Sequence, residues 1–128
     1  MLGKVIFVGA GPGNPELLTL EAYRVLQEAD VVLYDALVGP EVLDLIPSRT
    51  QKIYVGKRAT NHSYKQKEIN ELLLEMVTHY ECVVRLKGGD TLIYARLTDE
   101  LTVLQQAGIP YQVLAGVTTL SGTAAVLG

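Results

Sequence analysis

Asp35 closes the apolar run "VVLYD", and Asp90 follows two glycines in "LKGGD". A carboxylate in either setting faces a partly dry crevice, where it can act as a base or bind a ligand hydroxyl. The plainer reading of both is a capping residue in a loop. Lys57 and Arg58 stand behind Gly56 in "YVGKR". They belong to a stretch, residues 47–67, with six basic residues and no acidic one: Arg49, Lys52, Lys57, Arg58, Lys65 and Lys67, with His62 among them. On a chain of net charge −3 this is a local positive patch suited to a polyanionic partner. A solvated basic face accounts equally well for Lys65 and Lys67.

The glycine turn "VGAGPGNPELLTL" raises a different chemistry. A dinucleotide fingerprint needs G-x-G-x-x-G opening a helix behind a strand. Gly9 and Gly11 supply the first two glycines, but Asn14 occupies the third position. Pro12 also removes a backbone donor from any loop that would cradle a pyrophosphate. The turn is either merely tight or built for a ligand that needs close backbone contact without phosphate recognition.

These residues need elements to position them. Short β-branched runs at residues 5–8, 31–34, 52–55, 82–86 and 111–114 read as strands. They lack apolar/polar alternation, so both faces are covered, as in parallel sheets. Helical patterns lie between them. Over residues 66–80, Ile69, Leu72, Leu73, Met76, Val77 and Tyr80 form one apolar stripe. Leu18, Ala22, Val25, Leu26 and Ala29 form another, with Asn14 and Pro15, or else Thr19, to open the helix. A short helix begins at Pro40. A further one covers about residues 96–107, stopped by Gly108 and Pro110. Thr118 or Thr119 caps a last one. The expected fold is therefore α/β: an open, mainly parallel five-stranded sheet with helices on both faces. In such sheets ligands bind beyond the carboxyl ends of the strands. "GAGPG", Asp35, "GKR", "KGGD" and "GVTT" all fall on that one rim.

The bulk properties fit. A chain of 128 residues suits one domain, and 48% apolar with 20% charged residues is a globular composition. The acidic balance argues against nucleic acid as a partner. Cys82, the only cysteine, cannot form an internal disulfide and reads as a core residue. No signal peptide and no membrane-spanning run is evident, so a cytoplasmic location is expected. No metal-ligand set is assigned. The apolar ending "GTAAVLG" reads as a cut at a domain edge, with more protein expected beyond it.

The motifs "VGAGPGNPELLTL", "ADVVLYDALV", "YVGKRA", "QKEIN", "VVRLKGGD" and "AGIPYQVLAGVT", in this order and across the whole chain, resemble the N-terminal domain of the uroporphyrinogen-III C-methyltransferases, within the tetrapyrrole methylase superfamily. The resemblance implies methyl transfer from S-adenosylmethionine to uroporphyrinogen III, giving precorrin-2 for sirohaem and cobalamin. It implies two α/β domains, residues 1–128 being the first, with the cofactor in the cleft between them, and a homodimer. Matched motif by motif, Pro12, Gly88, Gly89, Asp90, Ile93, Thr118 and Thr119 would contact the cofactor. Asp35 would accept a proton and Lys57 would donate one. The sulfonium cofactor carries no phosphate, in keeping with the glycine turn, and the eight carboxylates of the substrate suit the basic stretch. The chain departs from the family's pattern after Asp90: Thr91 replaces a proline, and Leu97 and Thr98 stand where glycines are usual. Two other readings are a non-catalytic domain of the same fold, holding a nucleoside-type ligand or a partner, and a methylase of a later cobalamin intermediate.

Overall fold

A computed structural model describes residues 3–10, 18–36, 38–56, 66–88 and 97–114, with the backbone alone at 97 and 98. Among the described residues five strands and four helices alternate: β1 (Lys4–Gly9), α1 (Leu20–Glu28), β2 (Val31–Tyr34), α2 (Pro40–Leu43), β3 (Gln51–Tyr54), α3 (Gln66–His79), β4 (Cys82–Lys87), α4 (Leu97–Gln106) and β5 (Tyr111–Leu114). The strands form one sheet in the order β3-β2-β4-β1-β5, and every pairing is parallel.

The helices start and stop for local reasons. Thr19, in extended backbone, caps α1 by accepting the Ala22 N–H on its hydroxyl at 3.0 Å. Of the two caps open to that helix, Thr19 is thus the one used; Asn14 and Pro15 lie outside the described residues. Pro40 opens α2, where its missing N–H costs nothing. Gly108 ends α4 at φ 72°, with Gly108 N–H donating to the Gln105 carbonyl and Ile109 N–H to the Leu104 carbonyl. That pair of bonds is a Schellman closure, and the left-handed φ is why glycine stands there.

Two cores cover the two faces. On one, Val5, Phe7, Val31, Leu33 and Val83 pack against Ile69, Leu73, Met76 and Val77 of α3 and Leu104 of α4. On the other, Ile6, Val8, Val32, Val84 and Leu86 pack against Ala22 and Leu26 of α1 and Val42 of α2. Each fully buried aliphatic or aromatic side chain contributes about 1.5–3 kcal/mol. This two-sided cover explains the unbroken apolar runs of β1 and β2. Gln51 and Lys52 in β3 are exposed because β3 is an edge strand.

The topology positions the rim. From β1 to β2 and from β2 to β3 the chain moves one way across the sheet, by way of α1 and α2 on one face. From β3 to β4 and from β4 to β5 it moves the other way, by way of α3 and α4 on the opposite face. All four crossovers share one hand by this arrangement, and parallel crossovers of this kind are right-handed as a rule. The helix that follows β4 therefore covers one face, while the helices that follow its neighbours β1 and β2 cover the other. Such a parting at the carboxyl ends of adjacent strands is where open α/β sheets hold ligands.

Candidate functional site at the carboxyl end of strand β4

Asp35 is the first residue beyond β2, and Gly88 is the first beyond β4. The two strands are neighbours in register, Tyr34 beside Leu86, so both residues arrive at one place. Gly88 is buried, and its N–H donates to Asp35 Oδ1 at 3.3 Å. Val38 N–H closes a turn onto the Asp35 carbonyl at 3.3 Å. On the other flank of β4, Ala10 N–H donates to the Lys87 carbonyl at 2.8 Å, which brings the start of the glycine turn to the same end of the sheet.

Gly56 follows Val55 beyond the edge strand, and Val55 N–H donates to the Tyr34 carbonyl at 2.8 Å. A Cβ on Gly56 would lie 2.6 Å from the Ala36 nitrogen and 2.7 Å from the Tyr54 hydroxyl. Backbone there packs directly on the turn that Asp35 begins, and only glycine permits that approach. Tyr54 in turn packs on Tyr34 with ring centroids 5.4 Å apart in a tilted arrangement.

Asp35 and Gly88 are thus together on the expected rim. Pro12, Lys57, Gly89, Asp90, Ile93, Thr118 and Thr119 lie outside the described residues. In the sequence Lys57 directly follows Gly56, and Gly89 directly follows Gly88.

The basic stretch divides. Arg49 and Lys52 are at the amino end of β3, away from the rim. Arg49 donates to the Gln27 carbonyl at 2.6 Å, and Lys52 Nζ lies 3.4 Å from the Pro47 carbonyl and 3.5 Å from that of Thr50. These two side chains tie β3 to the end of α1 and to its own lead-in. Arg49 and Lys52 are thus engaged with backbone at the amino end of β3, while Lys57, Arg58, His62 and Lys65 lie outside the described residues.

Beneath the rim is a group of charges that the sequence reading left without a role. Glu100 in the first turn of α4 is fully buried, as nearly are Arg85 and Lys87 on β4. Arg85 Nε donates to Glu100 Oε1 at 3.2 Å, and Lys87 Nζ donates to Oε2 at 2.9 Å. Gln66 Nε2, at the start of α3, donates to Oε2 at 3.2 Å and to Asn70 Oδ1 at 2.9 Å. Arg85 Nη1 also reaches the carbonyl oxygens of Leu86 at 3.3 Å and Leu33 at 3.5 Å. Burial pushes the Lys87 ammonium below its ordinary range and the Arg85 charge pushes the same way, while Glu100 and Asp35 act against them. A signal for this cluster was present: Arg85 interrupts the apolar run of β4, and Glu100 sits four residues before buried Leu104, on the inward stripe of its helix.

The sequence profile of the Tetrapyrrole (Corrin/Porphyrin) Methylases matches residues 4–128. The chain belongs to this family. Among relatives of this tetrapyrrole methylase chain, siroheme synthase 1 of Yersinia enterocolitica is 54% identical over 126 residues, which are 98% of this chain and 27% of that protein. A crystal structure of uroporphyrin-III C-methyl transferase from Thermus thermophilus, complexed with S-adenyl homocysteine, is 50% identical with a TM-score of 0.78; the match covers 95% of this chain and 52% of that one. The cobalamin biosynthetic enzyme cobalt precorrin-4 methyltransferase is 29% identical with a TM-score of 0.74, over 96% of this chain and 49% of that one. The tetrapyrrole methylase chain thus spans about a quarter of the length of the curated relative and about half of each solved structure.

What the described residues offer fits a cationic, phosphate-free methyl donor. A carboxylate faces the rim from β2, glycine backbone leaves β4 beside it, and the two cations of β4 are engaged by Glu100 below. Among the described residues no three His, Cys, Asp or Glu side chains are grouped as a metal would need, and no helix is long and apolar enough to cross a membrane.

Proposed function

We propose that this chain is the N-terminal half of an S-adenosylmethionine-dependent C-methyltransferase that converts uroporphyrinogen III to precorrin-2. The observation that carries the reading is the meeting of Asp35 and Gly88 at the carboxyl end of β4, with Gly56 packed on the same turn. A family match over residues 4–128 and 50% identity to a solved uroporphyrin-III methyltransferase support it. The lower identity to the cobalt precorrin-4 enzyme favours the early substrate over a later cobalamin intermediate.

The methyl donor supplies an electrophilic methyl group on a sulfonium centre. The work of this chain is to hold and to move protons. The ring carbon that accepts the methyl group is already fully substituted and carries no hydrogen, so the cation formed must lose a proton from another position. Asp35 takes that proton, and Lys57 donates one to the tetrapyrrole. Pro12, Gly88, Gly89, Asp90, Ile93, Thr118 and Thr119 hold the donor. Displacement at a methyl carbon is in-line, so orientation matters; well-held reactants gain on the order of 7–11 kcal/mol. A second α/β domain, beyond this chain, completes the cleft, and the complete protein is a cytoplasmic homodimer. The first domain alone folds but turns over little.

The test is direct. The complete protein, S-adenosylmethionine and uroporphyrinogen III are mixed and the precorrin chromophore is followed. Its appearance supports the assignment. Its absence, with the donor bound, favours a non-catalytic ligand-binding domain of the same fold.

A further inference from the structure

Glu100 accepts from Gln66, Arg85 and Lys87, and Gln66, Lys87 and Glu100 itself occupy particular places in the chain. Gln66 is the first residue of α3, directly after the segment that contains Lys57. Lys87 is the last residue of β4, directly before Gly88 and Gly89. Glu100 is in the first turn of α4, directly after the segment that contains Asp90 and Ile93. One buried carboxylate therefore joins the exit of the first segment to both ends of the second. We propose that Glu100 is a positioning residue for methyl-donor binding: it sets the ends of the two segments that carry the proposed cofactor and proton-transfer residues. The inference rests on the reading under Proposed function and adds a residue to it that touches neither reactant.

The chemistry of the cluster agrees. Arg85 and Lys87 are two cations on one face of one strand, both nearly inaccessible to water, and Glu100 is the carboxylate that bonds to both. Without its charge the cations repel and must separate or draw in water. The backbone at Lys87 carries the Gly88 N–H that meets Asp35, so the movement arrives at the site. An apolar residue in place of Glu100 would satisfy helix packing but leave β4 and α3 unjoined to α4.

The experiment uses the complete protein and S-adenosylhomocysteine, titrated calorimetrically well below the melting temperature. Three variants are compared with the wild type: Glu100→Gln, Leu104→Ala and Gln66→Met. Leu104→Ala is the control, a fully buried core residue of the same helix outside the polar cluster. The expected result is a loss of affinity of about tenfold or more for Glu100→Gln at unchanged stoichiometry. Leu104→Ala should lower the melting temperature yet bind within about twofold of wild type, as an effect on stability alone predicts. If Glu100→Gln does not fold, Gln66→Met, which removes one donor, carries the test with a smaller loss in the same direction. Wild-type affinity in the foldable variant, or equal weakening by Leu104→Ala, overturns the inference. Failure of the wild type to bind overturns the functional reading itself, and this inference falls with it.

Discussion

The Gly88 N–H donates to the Asp35 carboxylate across the gap between the ends of β4 and β2. This bond ties a backbone group of the proposed cofactor loop to the side chain of the proposed proton acceptor. Whatever orders one orders the other, which is how a fold couples donor binding to proton transfer. Asn at position 35 retains an acceptor oxygen for the Gly88 N–H while losing the basic carboxylate. Asp35→Asn in the complete protein is therefore expected to lower turnover by about 10²–10⁴-fold. Affinity for S-adenosylhomocysteine should stay within about threefold, since the acceptor is kept. Single-turnover kinetics and calorimetry check the two halves; undiminished turnover removes Asp35 from the proton path.

Gly56 is the tightest contact of the site for a side chain. An added Cβ meets backbone at Ala36 and the Tyr54 ring, neither of which can yield without moving the Asp35 turn or unpacking Tyr34. Gly56→Ala is expected to cost about 1–3 kcal/mol of stability, as overpacking does, and to reduce turnover beyond what the lost stability explains. Urea unfolding and steady-state rates measured on the same preparation separate the two effects.

Half-buried Cys82 and buried Lys87 give opposite dependences on pH. Burial raises the Cys82 thiol above 9.0, with the carboxylates of Asp30 and Glu28 adding to that rise and Lys4 opposing it. The folded state then holds this proton more tightly, so the contribution of Cys82 is complete below 9.0 and is lost as the pH climbs through the raised value. Burial lowers Lys87 from 10.5, so between its lowered value and 10.5 the unfolded chain binds more protons and stability rises with pH. Unfolding free energies of wild type, Cys82→Ala and Lys87→Met are to be compared from neutral to alkaline pH. Wild type minus Cys82→Ala should slope downward with pH and wild type minus Lys87→Met upward. Reversed slopes would refute the assignment of burial as the leading cause.

The Thr19 cap gives a smaller, cleaner effect. Thr19→Ala removes the acceptor for the Ala22 N–H and is expected to cost about 0.5–2 kcal/mol. Thr19→Ser and Thr19→Asp should recover most of that, because each restores an oxygen at the same place. A thermal unfolding series of the four proteins measures it.

The architecture was legible because each strand is covered on both faces. Val31, Val32 and Leu33 can be consecutive and apolar only when helices lie above and below, and that pattern with intervening helical stripes leaves few topologies. Asp35, Gly56 and Gly88 were legible from strand ends alone, since the carboxyl end of a parallel strand is a position in space as well as in sequence. The buried charges were not. Glu100 meets Arg85 and Lys87 through tertiary packing of α4 on β4, and no local rule pairs residues fifteen and thirteen apart in different elements. The backbone partners of Arg49 and Lys52 were not legible for a related reason: charge density along a chain does not say which end of a strand it flanks. The exchange of glycines for Leu97 and Thr98 is intelligible now: both are in the first turn of α4, where glycine costs about 1 kcal/mol relative to good helix formers.

The strand order has a bearing on how the polypeptide is made. β1 pairs only with β4 and β5, so among the described residues no strand encoded before residue 82 is hydrogen-bonded to it. A ribosome thus delivers Val5, Ile6, Phe7 and Val8 long before their neighbours exist, while β2 and β3 can join at once. The emerging chain must keep an adhesive apolar segment waiting until Cys82–Lys87 slides between two strands already synthesised. β1 and β2 are thus joined in the sheet only through the same strand whose end carries Gly88.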